Sequence, residues 1–176
     1  MEWTHPGSPA PKKVKTVSSV GKIMVTIFWD EDGVLIVDFL ESGQTINSER
    51  YFKVLRKLKQ AIKKKHPGLD VTNITMHHDN ARPHTAHITA QEIANMGWKI
   101  MPQPPYSPDL APSDFHLFGP LKDELCGHHF ETDDDVKRAV REWVKKTESA
   151  FFRAGFRRWV ERWEKCVLAG GDWFEG

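Results

Sequence analysis

Residues 73–101 read NITMHHDNARPHTAHITAQEIANMGWKIM, and this stretch decides the fold class. Asn73 to His78 has the length and side-chain content of a short strand. His84 to Met96 has helical spacing that ends at Gly97, and Trp98 to Met101 is a second short strand. Alternation of strand, helix and strand is the pattern of an α/β layer, so an α/β fold is expected. Asp79 follows the first strand directly, then come Asn80 and the helix breaker Pro83.

Working outward, Lys22 to Trp29 is rich in β-branched and aromatic residues, Asp30 to Gly33 (DEDG) has turn chemistry, and Val34 to Leu40 is a second apolar run. These predict a β-hairpin. Asn47-Ser48 then opens a helix with Tyr51, Val54, Leu55, Leu58 and Ile62 on one face, stopped at His66-Pro67-Gly68. Residues 50–66 carry eight Lys/Arg and no acid, a pattern that suits either a solvated helix face or a surface that meets phosphates. Beyond the central stretch lies a turn rich in proline (Pro102, Pro104, Pro105, Pro108, Pro112). Helices are expected over Asp114 to Leu125, over Asp133 to about Ser149 with Thr132 as cap, and from roughly Phe156 to Leu168. Trp143, Phe151, Phe152, Phe156, Trp159 and Trp163 read as core rather than as a base-stacking platform. Residues 1–21 hold three prolines, two glycines and a lysine cluster, the composition of an extended arm.

The 176 residues carry 25 Lys+Arg against 24 Asp+Glu, a formal charge of +1, with 39% hydrophobic and 11% aromatic residues and a mean hydropathy of −0.53. That suits one globular domain and excludes a disordered or collagen-like chain. Ile23 to Trp29, the longest nearly apolar stretch, is far short of a membrane span, and no signal-peptide order opens the chain. An intracellular protein without membrane contact is expected. Cys126 and Cys166 lie far apart with no Cys-x-x-Cys spacing, which argues against a disulfide framework and a cysteine zinc site.

Phosphoryl transfer by two divalent metals needs carboxylates brought together from separate elements. Asp79 at a strand end and Asp114 at a helix start each offer one. Taken singly they are weak signals, because Asp is common at both places for turn and capping reasons. With their flanks they are far more specific: HDNARPHTA at 78–86, YSPDLAPSDFHLF at 106–118, and thirty-four residues between the two acids. This pattern resembles the catalytic core of mariner-type transposases, RNase H-like enzymes with an acidic triad. The resemblance extends over WTHPGSPAPKK near the start, FWDEDG, SERYFKVLRKLK and ERWEKCV.

The resemblance implies an α/β, RNase H-like mixed sheet flanked by helices, with a helical C-terminal part. It makes Asp79 and Asp114 the second and third metal-binding, catalytic aspartates for Mg²⁺ or Mn²⁺, with Asp109 a turn residue. The family's first aspartate lies in an Asp-Glu-x-Trp strand ahead of the Trp-x-x-Pro-Gly arm. This sequence begins inside that arm, so the central first strand, its aspartate and the DNA-reading helix-turn-helix modules are expected to be missing. Asp30 is then a hairpin residue and not a ligand. The domain reading is a basic arm, 1–21, and a partial catalytic domain, 22–176. His78, Asn80 and His84 are expected to orient Asp79, while Lys12, Lys13, Lys15 and Arg82 are expected to contact nucleic acid or a second subunit. A zinc site at His84/His87 is the lesser reading. In a full-length relative the partners would be transposon-end DNA, a TA target and a second copy of the protein, in the nucleus. The chain alone is expected to be inactive as a DNA endonuclease. The alternatives are a non-catalytic nucleic-acid-binding or dimerisation remnant, possibly inside a transposase-derived fusion protein, and a nuclease of another RNase H-like type, which would leave the proline motif unexplained.

Overall fold

The hairpin forms as Val25–Asp30 (β1) and Gly33–Phe39 (β2), paired antiparallel. The structure, a computed structural model, describes residues 23–41 and 43–170; the arm at 1–21 lies outside them, with Lys12, Lys13 and Lys15. Asp30 closes the turn by accepting the Asp32 N–H at 2.9 Å. A register shift between Phe28 and Trp29 pairs Trp29 with Val34 after Phe28 has paired with Ile36. The extra residue, Leu35, lets consecutive Leu35 and Ile36 both join one core while Val34 and Val37 join the other. The hairpin is therefore apolar on both faces.

The first core is organised by Ser48–Lys65 (α1). Asn47 caps it by accepting the Arg50 N–H at 2.8 Å, and Lys63, Lys64 and Lys65 complement the dipole in its last turn. Its buried face, Tyr51, Leu55, Leu58 and Ile62, packs on Phe28, Leu35 and Ile36 of the hairpin. The same face packs on Met76 of Thr75–His77 (β3) and on Ile93, Met96 and Trp98. β3 pairs in parallel with Lys99–Met101 (β4), with Met76 opposite Ile100. Gly97 makes the reversal into β4: its φ is +79°, and a Cβ there would meet the Thr72 carbonyl oxygen at 2.3 Å.

Three expected helices begin differently in the structure. The single helix over 84–96 is two, Arg82–Thr85 (α2) and His87–Asn95 (α3). Pro83 suits the first turn of α2, so the helix starts two residues earlier than expected. Ala86, at φ −60° and ψ 140°, then leaves helical space. Buried Thr89 donates its hydroxyl back to the Pro83 carbonyl at 2.6 Å, fixing the angle between α2 and α3. The segment Ser113–Leu117 is a wide π-type turn that leads into Phe118–Leu125 (α4).

The second core lies on the other hairpin face and gathers Ile27, Leu117, Leu121, Val140, Trp143 and Phe152. Asp133–Lys146 (α5) begins with a reciprocal capping box between Thr132 and Asp135. The last helix, Ser149–Leu168 (α6), starts seven residues before the expected Phe156. Gly155 is no breaker; it is the point where α6 comes closest to the rest of the chain. A Cβ there would stand 2.5 Å from the His116 ring and 2.9 Å from the Trp29 ring. α6 then runs beneath the strands in order: Phe152 and Phe156 against Trp29 of β1, Trp159 against His77 of β3, and Trp163 in a groove with Met101 of β4. Among the described residues β1–β2 and β3–β4 are separate two-stranded sheets, side by side along α6 and joined through α1 and α6 rather than by hydrogen bonds.

Gly155→Ala is expected to lower stability by about 1–3 kcal/mol, since His116 is pinned by its bond to the Phe151 carbonyl and cannot swing aside. Thermal unfolding followed by circular dichroism reads this as a midpoint several degrees lower; an unchanged midpoint would show that the contact is soft.

Candidate active site

β3 ends at His77, and the chain turns outward through His78, Asp79 and Asn80 before Pro83 starts α2. Asp79 Oδ1 accepts two hydrogen bonds, from the Ala81 N–H at 3.0 Å and from His84 Nδ1 at 2.5 Å. Both donors use the same oxygen, so among the described residues Oδ2 is left open. The hydrogen bond from His84, helped by Ala81 and opposed by partial burial, holds the Asp79 carboxyl below its ordinary pKa. Asp79 is therefore ionised at neutral pH.

Behind Asp79 stand two stacked imidazoles. The rings of His78 and His84 are 5.1 Å apart and 7° from parallel. Tyr51 of α1 reaches both: its hydroxyl is 2.9 Å from His78 Nδ1, and its ring centre is 4.0 Å from that of His84. Burial, with the neighbouring His84, pushes His78 down to about 4, so it is neutral at physiological pH. His77 is also pushed down by burial and lies edge-on to Trp159.

Asp114 arrives from the other side, in the wide turn that follows the proline segment. That segment is anchored along its length. Asn80 Nδ2 donates to the Gln103 carbonyl at 2.8 Å, and Gln103 Nε2 donates to the Ser107 carbonyl at 3.1 Å. From α6, Trp159 Nε1 donates to the Leu110 carbonyl at 2.9 Å and Arg162 to the Asp109 carbonyl at 3.0 Å. From β1, Trp29 Nε1 donates to Ser113 Oγ at 3.1 Å, one residue before Asp114. Asp79, Asn80, Gln103, Tyr106, Ser107 and Asp114 line one open cleft of about 400 Å³. Partial burial and then the charge of Asp79 raise the Asp114 pKa, with Lys122 acting weakly against them. The cleft thus holds two carboxylates from separate elements with opposite shifts, and among the described residues Asp114 has no salt-bridge partner. A larger, almost wholly apolar groove lies along α6, away from these acids.

The structure brings together Asp79, Asp114 and Asn80 on the cleft wall and places His84, with His78 behind it, against Asp79. Asn80 acts on the loop and makes its bond to Gln103, not to Asp79. Arg82 is exposed at the start of α2. Asp30 is elsewhere: burial opposes its ionisation, but Lys65 at 2.8 Å and His66 at 2.7 Å hold its pKa below the ordinary value. His84 and His87 fall on different helices, and among the described residues no cluster of three His, Cys, Asp or Glu side chains forms a metal site. Three features were not singled out from sequence. Tyr51 looked like one more apolar helix position, and the Trp29–Ser113 bond spans 84 residues. Tyr106 is 98% exposed with φ +56°; an aromatic inside a proline run, with no core to enter, was a readable signal.

Comparison with known proteins shows what the chain as a whole is similar to. Residues 1–71 match the family described as Transposase (partial DDE domain). The Mariner Mos1 transposase of Drosophila mauritiana is 34% identical over 175 residues, which are 98% of this chain and 51% of the relative. Histone-lysine N-methyltransferase SETMAR of Homo sapiens is 36% identical over 168 residues, 94% of this chain and 25% of the relative. The chain spans about half the length of the first of these relatives and a quarter of the second. The solved Mos1 transposase catalytic domain with raltegravir and Mg superposes with a TM-score of 0.81 at 35% identity, over 87% of this chain and 77% of that one. A fold shared with that domain over most of its length at this identity places the chain in the mariner-type transposase family, with the RNase H-like fold of its catalytic domain.

Proposed function

We propose that Asp79 and Asp114 are two metal-binding carboxylates of a DNA cleavage and strand-transfer site. The observation that carries this is their convergence on one cleft, where among the described residues Asp79 Oδ2 is open and Asp114 has no salt-bridge partner. The donor set fits Mg²⁺ or Mn²⁺, hard ions that take carboxylate oxygens and keep water and phosphate ligands; Mos1 catalytic-domain structures carry Mg and Mn. Such ions supply charge neutralisation and an activated water or 3′-hydroxyl at the scissile phosphate. The protein's part is placement: His84 and Ala81 hold one oxygen of Asp79, while Asn80 and Gln103 hold the loop that presents Asp114.

DNA is the substrate class this reading requires. The Mos1 transposase is solved as a paired-end complex with the left transposon end, which supports transposon ends and a two-subunit assembly for the parent activity. Arg82 and Lys12, Lys13 and Lys15 are the proposed phosphate contacts, and Tyr106, held outward at the cleft mouth, offers a face to an unstacked base. A TA target and a nuclear location follow from the same reading. Among the described residues no third His, Cys, Asp or Glu joins the two acids in a metal-binding cluster, so this reading calls for a further carboxylate before the site cuts DNA. SETMAR, a histone-lysine N-methyltransferase of which this chain matches a quarter, supports a second setting, in which this fold is one part of a longer fusion protein.

Asp114→Asn separates the site from its structural cost. A carboxyl whose folded pKa is raised is disfavoured in its charged form, so at neutral pH the variant is expected to unfold at a slightly higher temperature than the parent. The rise in midpoint that Mn²⁺ induces in the parent disappears in the variant; Mn²⁺ stabilising both equally would remove Asp114 from the site.

Proton competition has a predicted direction as well. Asp114 holds a proton at higher pH than an ordinary Asp, whereas Asp79 loses its proton earlier. Mn²⁺ affinity, measured by electron paramagnetic resonance, is expected to fall first through Asp114 as pH drops below neutral. Affinity flat down to the ordinary carboxylate range would contradict this order.

Supplying a segment with the Asp-Glu-x-Trp pattern is expected to add a strand and a third carboxylate, raising the unfolding midpoint and switching on Mn²⁺-dependent nicking of DNA. Unchanged nicking and stability with the segment present would show that the site needs nothing further.

A further inference from the structure

We infer that Tyr51 is a positioning residue for Asp79, acting through the paired histidines; the inference rests on the reading of Asp79 as a metal-binding carboxylate. Asp79 stands on a loop with its side chain 60% exposed, a place where a carboxylate rotates freely unless something fixes it. What fixes it is a continuous path from α1, whose buried face organises the first core. Tyr51 is 2% exposed in α1, between the buried neighbours Val54 and Leu55 one turn on and the hairpin residue Phe28. Its ring lies 4.0 Å from His84, its hydroxyl is 2.9 Å from His78 Nδ1, and the two imidazoles stack at 5.1 Å. His84 then bonds Asp79 Oδ1 at 2.5 Å.

The proton placement follows from the partners. Ionised Asp79 can only accept, so His84 Nδ1 carries the proton of that bond. We assign the 2.9 Å bond the matching order: the Tyr51 phenol donates to His78 Nδ1, which puts the ring proton of His78 on Nε2. With both imidazole planes set, His84 keeps to Oδ1 and Oδ2 faces the cleft. A leucine or valine at position 51 would fill the core as its neighbours do, but would leave both rings unheld.

The test uses two variants of the 176-residue chain. Tyr51→Phe keeps the ring against His84 and removes the bond to His78, and Tyr51→Leu removes both. Groups that orient a metal ligand typically change metal affinity about 10–100-fold when lost, so Mn²⁺ affinity by electron paramagnetic resonance is expected to fall several-fold in Tyr51→Phe and at least about tenfold in Tyr51→Leu. Imidazole nitrogen NMR of the metal-free protein is expected to show His78 with its proton on Nε2 in the parent and a tautomer mixture in Tyr51→Phe. A lower unfolding midpoint with Mn²⁺ affinity unchanged would make Tyr51 a packing residue only and overturn the inference. If Tyr51→Leu does not fold, Tyr51→Phe decides. If the parent binds no Mn²⁺ through Asp79 and Asp114, the metal reading fails. The His78 and His84 signals then decide the positioning alone: unchanged signals in Tyr51→Phe overturn it.

Discussion

One helix face holds this molecule together. Tyr51, Leu55, Leu58 and Ile62 of α1 bury against the hairpin on one side and against Met76, Ile93, Met96 and Trp98 on the other. Since the two strand pairs share no backbone hydrogen bonds, their relative position depends on side-chain burial on α1 and on the aromatic row of α6. Each fully buried aliphatic or aromatic side chain contributes about 1.5–3 kcal/mol. The N-terminal turn of the same helix carries Tyr51 to the back of the cleft, so the element that unites the strands also limits where Asp79 can point.

The opposite wall is built by different means. The proline segment carries few backbone donors and cannot join a sheet, so it is held by side chains that reach its carbonyls: Asn80, Trp159 and Arg162. Trp29 adds a bond to Ser113 from the hairpin. Indole and guanidinium groups suit this work because they are donors only, and the carbonyls of an irregular loop are acceptors only. The result is an edge anchored at several points, on which Asp114 feels the charge of Asp79, a placement that raises its pKa and opposes folding.

Much of the scaffold was legible from residues close together in sequence. Asn47 and the spacing of Tyr51 to Ile62 marked α1, Thr132 with three aspartates marked α5, and the DEDG turn marked the hairpin. The errors came where a local signal competed with a distant contact. The last helix, expected from roughly Phe156, begins at Ser149 and runs through Gly155, whose missing side chain answers the rings of His116 and Trp29. The pattern from His84 to Met96 looked like one helix, but the bond from Thr89 to Pro83 requires a break at Ala86.

The candidate site divides in the same way. The sequence by itself singled out the two acids, because Asp79 and Asp114 each sit in a long motif that resembles one family's. Only the tertiary structure decided that they share a cleft, that their pKa values move in opposite directions, and that Asp30 is neutralised by Lys65 and His66. It alone assigned Tyr51 to the histidine pair. Motif and period report short-range backbone preference, whereas charge coupling and desolvation depend on which distant side chains end up within a few ångströms. No spacing rule carries that information.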